Sequence, residues 1–296
     1  MEALIQGLFR TPKFNFLRDI RVAIFCALFS RDKHKTYIAY DNYLNSVGAK
    51  KPSDLLLRSD VESTPHFVPF LHFVCTADIG KSFIATLVYD YLTEQGVKLK
   101  TFDLDHANST FQRFVPEAEF IDTDVDANKL AVLDIMVSAL DLVDIVLVDN
   151  RASGGTKVLR YIEDSRLTDL QDELQFELIF IVVALADKDA ISQIADLLDE
   201  YEDRVRWLVV RNCRDTPLLT MYDESQTRKR LQNLGAIEIE VPCLTEVTRS
   251  KLQLNNLTVG KGRTASKIHL LDRSRCQRFY EKIEAELEKA RSLVLP

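Results

Sequence analysis

A glycine, a lysine and a serine follow directly after the first strongly apolar run of the regular part of the chain. Residues 75–82 read CTADIGKS. A turn at Gly80 that opens a helix would direct backbone N–H groups and the positive helix end at a phosphate. The Lys81 ammonium could then reach the outer phosphates, and the Ser82 hydroxyl could bind Mg²⁺. The complete pattern GxxxxGKS is not met, because Cys75 stands where the first glycine belongs.

Three aspartates add carboxylates that could hold a metal ion. The segment FDLDHAN places Asp103 and Asp105 two residues apart, on one face of an extended chain. The apolar run 145–148 ends in Asp149. Carboxylates at the carboxyl ends of parallel strands, beside a phosphate loop, are what Mg²⁺–nucleotide chemistry requires. We predict a magnesium site formed by these three carboxylates and Ser82.

The elements that must position these residues alternate regularly from residue 69 onward. Predicted strands cover 68–75, 97–104, 119–121, 144–148, 178–185, 206–211 and 236–241. Predicted helices cover 81–94, 128–142, 157–175, 190–201, 225–234 and 273–293. This alternation predicts an α/β fold with a doubly wound, mostly parallel sheet and helices on both faces. The basic, glycine-containing segment 259–262 is interpreted as a solvent-exposed loop that could contact a partner or DNA.

Composition and charge exclude several classes of protein. The chain has 296 residues, 46% of them apolar and 28% charged, which is enough apolar material for a large core. Its net charge of −7 argues against a surface that coats nucleic acid, so direct DNA binding is not expected. The five cysteines are scattered and show no zinc spacing, which is typical of a reduced compartment. No apolar run is long enough to span a bilayer, so we expect a cytoplasmic protein.

The N-terminal part of the sequence has a different character. Residues 1–68 contain 10 Lys/Arg and 7 Asp/Glu, are rich in aromatic residues and show no strong strand pattern. We interpret them as a basic N-terminal extension, either loosely packed or a small functional module. Residues 69–296 are predicted to form one domain.

The order of the motifs is similar to that of the ParA/MinD branch of the P-loop ATPases, which belongs to the SIMIBI class. Within it the chain resembles the TraL-type proteins of conjugative plasmid transfer. Residues 102–111 resemble the pattern D-x-D-x-x-N-x-T-F of that family, and residues 148–153 resemble D-N-x-A-S. Residues 239–248 resemble its late strand and the loop near the nucleotide base. The resemblance covers about residues 69–270 and implies a P-loop NTPase fold.

The resemblance also implies a role for each matching residue. With Mg²⁺ and ATP as cofactors, Lys81 would bind phosphate and Asp149 would be the acid of the second nucleotide-binding strand. Asp105 would orient the attacking water, supported by Asp103, so Asp105 and Lys81 are the predicted catalytic residues. Asn212 is implied to read the adenine, although a simple strand-end turn role stays open. Pro242 would begin the loop that packs on the base.

One departure from the family pattern bears on catalysis. ParA/MinD proteins carry a further lysine in K-G-G-x-G-K-[ST] that reaches a partner's phosphate, and here Thr76 occupies that position. A positioned cation supplies several kcal/mol of stabilisation in phosphoryl transfer. Asp78 adds a carboxylate close to the phosphates. We therefore expect nucleotide binding with slow hydrolysis, and leave both the ATPase activity and a homodimer open.

Three functional hypotheses follow. The first is a nucleotide-dependent switch of conjugative transfer or plasmid maintenance that acts through protein partners of that apparatus. The second is a non-enzymatic adaptor with the same fold and a degenerate loop. The third is a small-molecule kinase, which ranks last because the sequence has no clear arginine-bearing lid. The sequence names no partner and does not separate ATP from GTP.

Overall fold

The computed structural model describes residues 67–74, 80–105, 109–122, 133–150, 155–216 and 218–296. Most of the predicted N-terminal extension lies outside the described residues. So do the loop position Thr76, its neighbour Asp78 and the first part of the helix predicted over 128–142. The predictions made for those positions stay predictions.

Seven strands form one sheet in which every neighbouring pair is parallel. They are β1 (Val68–Phe73), β2 (Leu99–Asp103), β3 (Glu119–Phe120), β4 (Ile145–Asp149), β5 (Phe176–Ala184), β6 (Arg206–Asn212) and β7 (Ile237–Val241). Their spatial order is β3-β2-β4-β1-β5-β6-β7, so β1 is central and the chain winds outward in both directions. This topology confirms the expected doubly wound α/β fold with a parallel sheet.

Helices connect the strands. They are α1 (Lys81–Glu94), α2 (Thr110–Phe114), α3 (Asp134–Ala139), α4 (Gly155–Asp164), α5 (Gln171–Leu174), α6 (Lys188–Tyr201), α7 (Thr220–Asp223), α8 (Gln226–Asn233), α9 (Glu246–Leu254), α10 (Val259–Gly262), α11 (Leu270–Lys289) and α12 (Arg291–Val294). A 3₁₀ turn covers Leu167–Leu170. The single helix predicted over 157–175 is thus divided into three pieces. No helix among the described residues is long and apolar enough to cross a membrane.

The central strands are buried on both faces, as the near-continuous apolar runs of β4 and β5 predict. Leu71 of β1 pairs in register with Leu147 of β4 and Ile179 of β5, and all three are fully buried. Parallel strands require this cover, since their crossover helices pack on both faces. The core therefore holds β1 and the start of α1 in fixed positions at the carboxyl edge of the sheet.

The prediction of an exposed loop at residues 259–262 is wrong, because this segment is the short helix α10 and packs against α1. The Gly260 N–H donates to the Asp90 carboxylate of α1 at 2.7 Å. A Cβ at Gly260 would lie 2.6 Å from the Asp90 Cγ atom, so only glycine fits there. Gly262 packs equally tightly against Leu252 of α9. The glycines are needed for close helix packing, a role that their local sequence does not reveal.

Candidate functional site

The first turn of α1 begins at a glycine whose conformation suits it to bind an anion. Gly80 is the N-cap residue, with φ +82° and ψ 24°, and no side chain caps the helix. Residues with a Cβ rarely adopt this left-handed conformation, which explains the glycine. Backbone N–H groups at a helix start point along the axis, where a phosphate can accept hydrogen bonds from them.

Lys81, Ser82 and Asp149 come together at this helix start. Lys81 is buried in the first turn of α1, and Asp149 ends the adjacent strand β4 with no exposed surface. Burial raises the pKa of Asp149 to about 7. The Ser82 hydroxyl and the Lys81 ammonium lower that pKa, while the charges of Asp103 and Asp105 raise it. Four other predicted site residues, Lys81, Ser82, Asp103 and Asp105, therefore lie close enough to Asp149 to influence its pKa.

Neither carboxylate oxygen of Asp149 accepts a hydrogen bond within the described part of the chain. The Ser82 hydroxyl is a polar neighbour of this carboxylate and favours its ionised form. A buried carboxylate without a partner costs several kcal/mol, and a bound cation would remove that cost. The donor set of one carboxylate and one hydroxyl fits Mg²⁺, which retains several waters. Among the described residues there is no cluster of three or more His, Cys, Asp or Glu side chains suited to a metal.

Asp103 already uses both of its oxygens within the protein. It pairs in register with Asp149 on the neighbouring strand and is fully buried. Its Oδ1 accepts the Asp105 N–H at 2.9 Å, and its Oδ2 accepts the Gln112 N–H at 2.8 Å. The carboxylate therefore ties the end of β2 to α2. This arrangement suits a residue that positions the segment around Asp105 better than it suits a metal ligand.

Asp105 lies at the edge of the site and is half-buried. Its backbone oxygen accepts the Ser109 N–H at 2.7 Å, which closes the loop between β2 and α2. Ser109 has φ +41° and is the N-cap residue of α2. This hydrogen bond ties the backbone of Asp105 to the start of α2, and the charge of Asp105 raises the pKa of Asp149.

The two residues predicted on the base side lie at the same edge of the sheet. Asn212 ends β6 and is buried, and its Oδ1 accepts the Arg214 N–H at 3.2 Å. Its Nδ2 would lie 3.5 Å from a Cβ at Gly80, so it lies beside the phosphate-loop end while also forming a strand-end turn. Pro242 follows β7 directly and is half-buried.

Asn150 is a residue for which the sequence suggested no role. It follows Asp149 and is buried, and neither its Oδ1 nor its Nδ2 has a partner in the described structure. The available signal was its place in the segment VDNRAS, which carries part of the family resemblance. Two adjacent buried side chains with unpaired polar atoms mark the end of β4 as prepared for a ligand.

No protein-family model matches the chain, and no curated protein sequence matches it. Among solved structures, the septum site-determining protein MinD from Pyrococcus horikoshii OT3, complexed with Mg-ADP, is 11% identical, with 76% of this chain and 97% of that chain covered and a TM-score of 0.45. A plasmid partition protein from Borrelia burgdorferi B31 bound to AMPPNP is 13% identical, with 76% and 99% covered and a TM-score of 0.43.

FtsY from Mycoplasma mycoides is 14% identical, with a TM-score of 0.35, and 51% of this chain aligns with it. The match spans only 54% of that FtsY chain, about half its length. Likenesses at these identities and TM-scores assign neither a family nor an activity to this chain.

Proposed function

We propose that this protein is a nucleotide-binding switch that binds Mg-ATP at the carboxyl edge of its sheet and hydrolyses it slowly. One observation carries the proposal. The sequence Gly80-Lys81-Ser82 opens α1 beside Asp149, whose two buried carboxylate oxygens accept no hydrogen bond within the described residues. A phosphate-binding helix start beside an unsatisfied acid is the arrangement that a Mg²⁺–triphosphate requires.

In the binding step, N–H groups at the start of α1 and the Lys81 ammonium would bind the phosphates. Ser82 and Asp149 would hold Mg²⁺, which when bound neutralises charge on the phosphate oxygens. Asn212 would lie between the phosphate-loop end and the base. The burial of Lys81 strengthens its electrostatic effect, since water screens it less.

In the hydrolytic step, Asp105 would orient the attacking water in line with the outer phosphate. Asp103 would act through Asp105, because its oxygens hold the backbone N–H groups of Asp105 and Gln112. Hydrolysis is expected to be slow, because Thr76 supplies no second cation to the developing charge.

The biological setting follows from the resemblance at residues 102–111, 148–153 and 239–248 to TraL-type members of the ParA/MinD branch. We infer a cytoplasmic role in conjugative transfer or plasmid maintenance, exercised through protein partners of that apparatus. The main alternative is a non-enzymatic adaptor, which the replacements Thr76 and Asp78 in the phosphate loop favour.

Calorimetric titration with ATP and Mg²⁺ separates these two functions. We expect the wild type to bind ATP, and Lys81→Ala to weaken binding at least about 100-fold, because a buried ammonium next to phosphate is removed. Lys229→Ala, at an exposed position of α8, is the matched control and should bind like the wild type. Absence of binding by the wild type would leave only the adaptor, and phosphate release that needs an acceptor molecule would indicate a kinase.

A further inference from the structure

The surface formed by α9 and the first turns of α11 has the opposite charge to the rest of the protein. Residues 246–254 of α9 and residues 270–278 of α11 together contain five Lys/Arg and two acidic residues, a net charge of +3. The remainder of the chain contains 33 Lys/Arg and 43 Asp/Glu, a net charge of −10. Solubility does not require such a segregation of charge, which is more typical of a surface that meets an acidic partner.

One buried carboxylate joins the two helices. Asp272 of α11 accepts the Thr248 hydroxyl of α9 at 2.9 Å and also pairs with the Lys251 ammonium of α9. The Arg275 guanidinium, one turn along α11, donates to the same carboxylate at 2.7 Å. Two cations thus share one anion, so the junction between the helices keeps an excess of positive charge.

Large aliphatic side chains lie on both sides of this junction. Val247 and Leu254 stand four residues before and three residues after Lys251, which places all three on one face of α9. Their exposed fractions are 61% and 83%. Leu271 stands one turn before Arg275 on α11 and is 58% exposed. Soluble monomers rarely group exposed aliphatic side chains in this way without a binding role.

We name this surface the basic–leucine face. It consists of Val247, Lys251 and Leu254 on α9 and Leu271, Arg275 and Arg278 on α11. Each helix contributes residues at positions i, i+4 and i+7, so each presents one continuous stripe. The shared Asp272 holds the two stripes side by side.

We propose that the basic–leucine face binds an amphipathic helix of a partner protein, in which acidic residues flank leucine-type residues. Aliphatic stripes at helical spacing are complementary to the apolar face of such a helix. The cations beside them are complementary to its acidic flanks and select against basic partners. Nucleic acid would use the cations but leave Val247, Leu254 and Leu271 in water. The proposal is independent of nucleotide binding.

A synthetic peptide tests the proposal on the full-length protein. The probe is a fluorescein-labelled helical peptide of 18 residues with leucines at i, i+3, i+4 and i+7 spacing and glutamates on both flanks. We expect saturable binding by fluorescence anisotropy, weakened at least about tenfold in the double variant Leu254→Ser/Leu271→Ser and several-fold in Arg278→Glu. Leu234→Ser and Lys229→Glu, at exposed positions of or next to α8, should change the affinity by less than about twofold. Circular dichroism melts check that each variant is folded.

Five results would overturn the proposal. One is failure of the wild type to bind the peptide, and another is binding by the double variant as tight as that of the wild type. Equal affinity for a peptide with alanine in place of leucine, or for a DNA duplex, would assign the face to polyanions in general. Sedimentation showing a dimer that the double variant converts to a monomer would assign the face to a second copy of this chain.

Discussion

At the scale of single residues, the candidate site contains buried polar groups that lack hydrogen-bond partners. Their burial costs free energy unless a ligand binds. Asp149 and Asn150 are buried with unpaired polar atoms within the described structure, whereas Asp103 is satisfied by two backbone N–H groups. This difference separates a carboxylate prepared for a ligand from one that positions the protein chain. Gly80 contributes a backbone conformation instead of a functional group.

The two glycines at the ends of α1 allow a matched test of the Gly80 conformation. Gly80 and Gly96 have φ +82° and +72°, so alanine at either position should destabilise the fold by about 1 kcal/mol. Only Gly80 lies at the proposed phosphate site, so Gly80→Ala alone should also weaken ATP binding. Urea denaturation and ATP titration measure the two effects. Equal ATP affinity of both variants would contradict the assignment of the site to this turn.

At the scale of elements, α1 is held in place by a contact far from the phosphate site. Asp90 is buried on α1 and accepts the Thr258 hydroxyl and the Gly260 N–H, both at 2.7 Å. Burial raises the pKa of Asp90 to about 6, although these two hydrogen bonds and the charges of Lys261 and Arg263 lower it. The contact fixes α1 against α10, and thereby the direction in which its first turn points.

The raised pKa of Asp90 predicts a component of stability that is lost as the pH rises. Because its folded-state pKa of about 6 exceeds the ordinary value of 3.8, this component is full below pH 4 and disappears as the pH passes 6. At low pH this component adds roughly 3 kcal/mol to the free energy of unfolding. Asp90→Asn retains an acceptor for the Gly260 N–H and a donor to Thr258, and it does not titrate.

Urea unfolding at pH 4, 5, 6 and 7 tests this prediction. The free energy of unfolding of Asp90→Asn, minus that of the wild type, should increase with pH across this range. A difference that is constant from pH 4 to pH 7 would show that Asp90 titrates normally in the folded protein.

At the scale of the whole molecule, a histidine lies inside the central strand of the sheet. His72 of β1 is fully buried, and neither ring nitrogen has a hydrogen-bond partner within the described residues. Its ring packs against Phe70 and Phe180 at centroid distances of 6.3 and 6.1 Å. Burial lowers the pKa of His72 to about 3, so its ring is neutral in the folded protein at neutral pH.

His72 predicts the opposite pH dependence to Asp90. Its folded-state pKa lies below the ordinary value of 6.5, so its component of stability is present above pH 6.5 and lost as the pH falls towards 3. The loss is about 1.4 kcal/mol per pH unit. His72→Leu should remove this component, while His269→Asn, which retains a cap at the start of α11, should not. Urea unfolding between pH 4 and 7 measures this component of stability. The prediction is wrong if the free energy of unfolding of His72→Leu depends on pH in the same way as that of the wild type.

Much of the architecture follows from patterns among neighbouring residues. Apolar runs and helical spacing predicted each strand of the sheet within two residues of its observed ends. The GKS segment and the strand ending in Asp149 lie together at the carboxyl edge of the sheet, as predicted, and the binding site placed there stays a proposal. These features depend on local periodicity and on turn-forming residues, which a linear sequence displays directly.

Long-range contacts account for the features that the sequence did not reveal. The packing of α10 against α1 depends on a hydrogen bond between residues 90 and 260, which lie 170 positions apart. The positioning role of Asp103, the place of Asn212 beside Gly80 and the unpaired side chain of Asn150 likewise depend on which elements meet at one edge of the sheet. Residue type and spacing indicate which groups a side chain is able to bind. The atoms that it contacts are known only from the tertiary structure, because they come from elements distant in sequence.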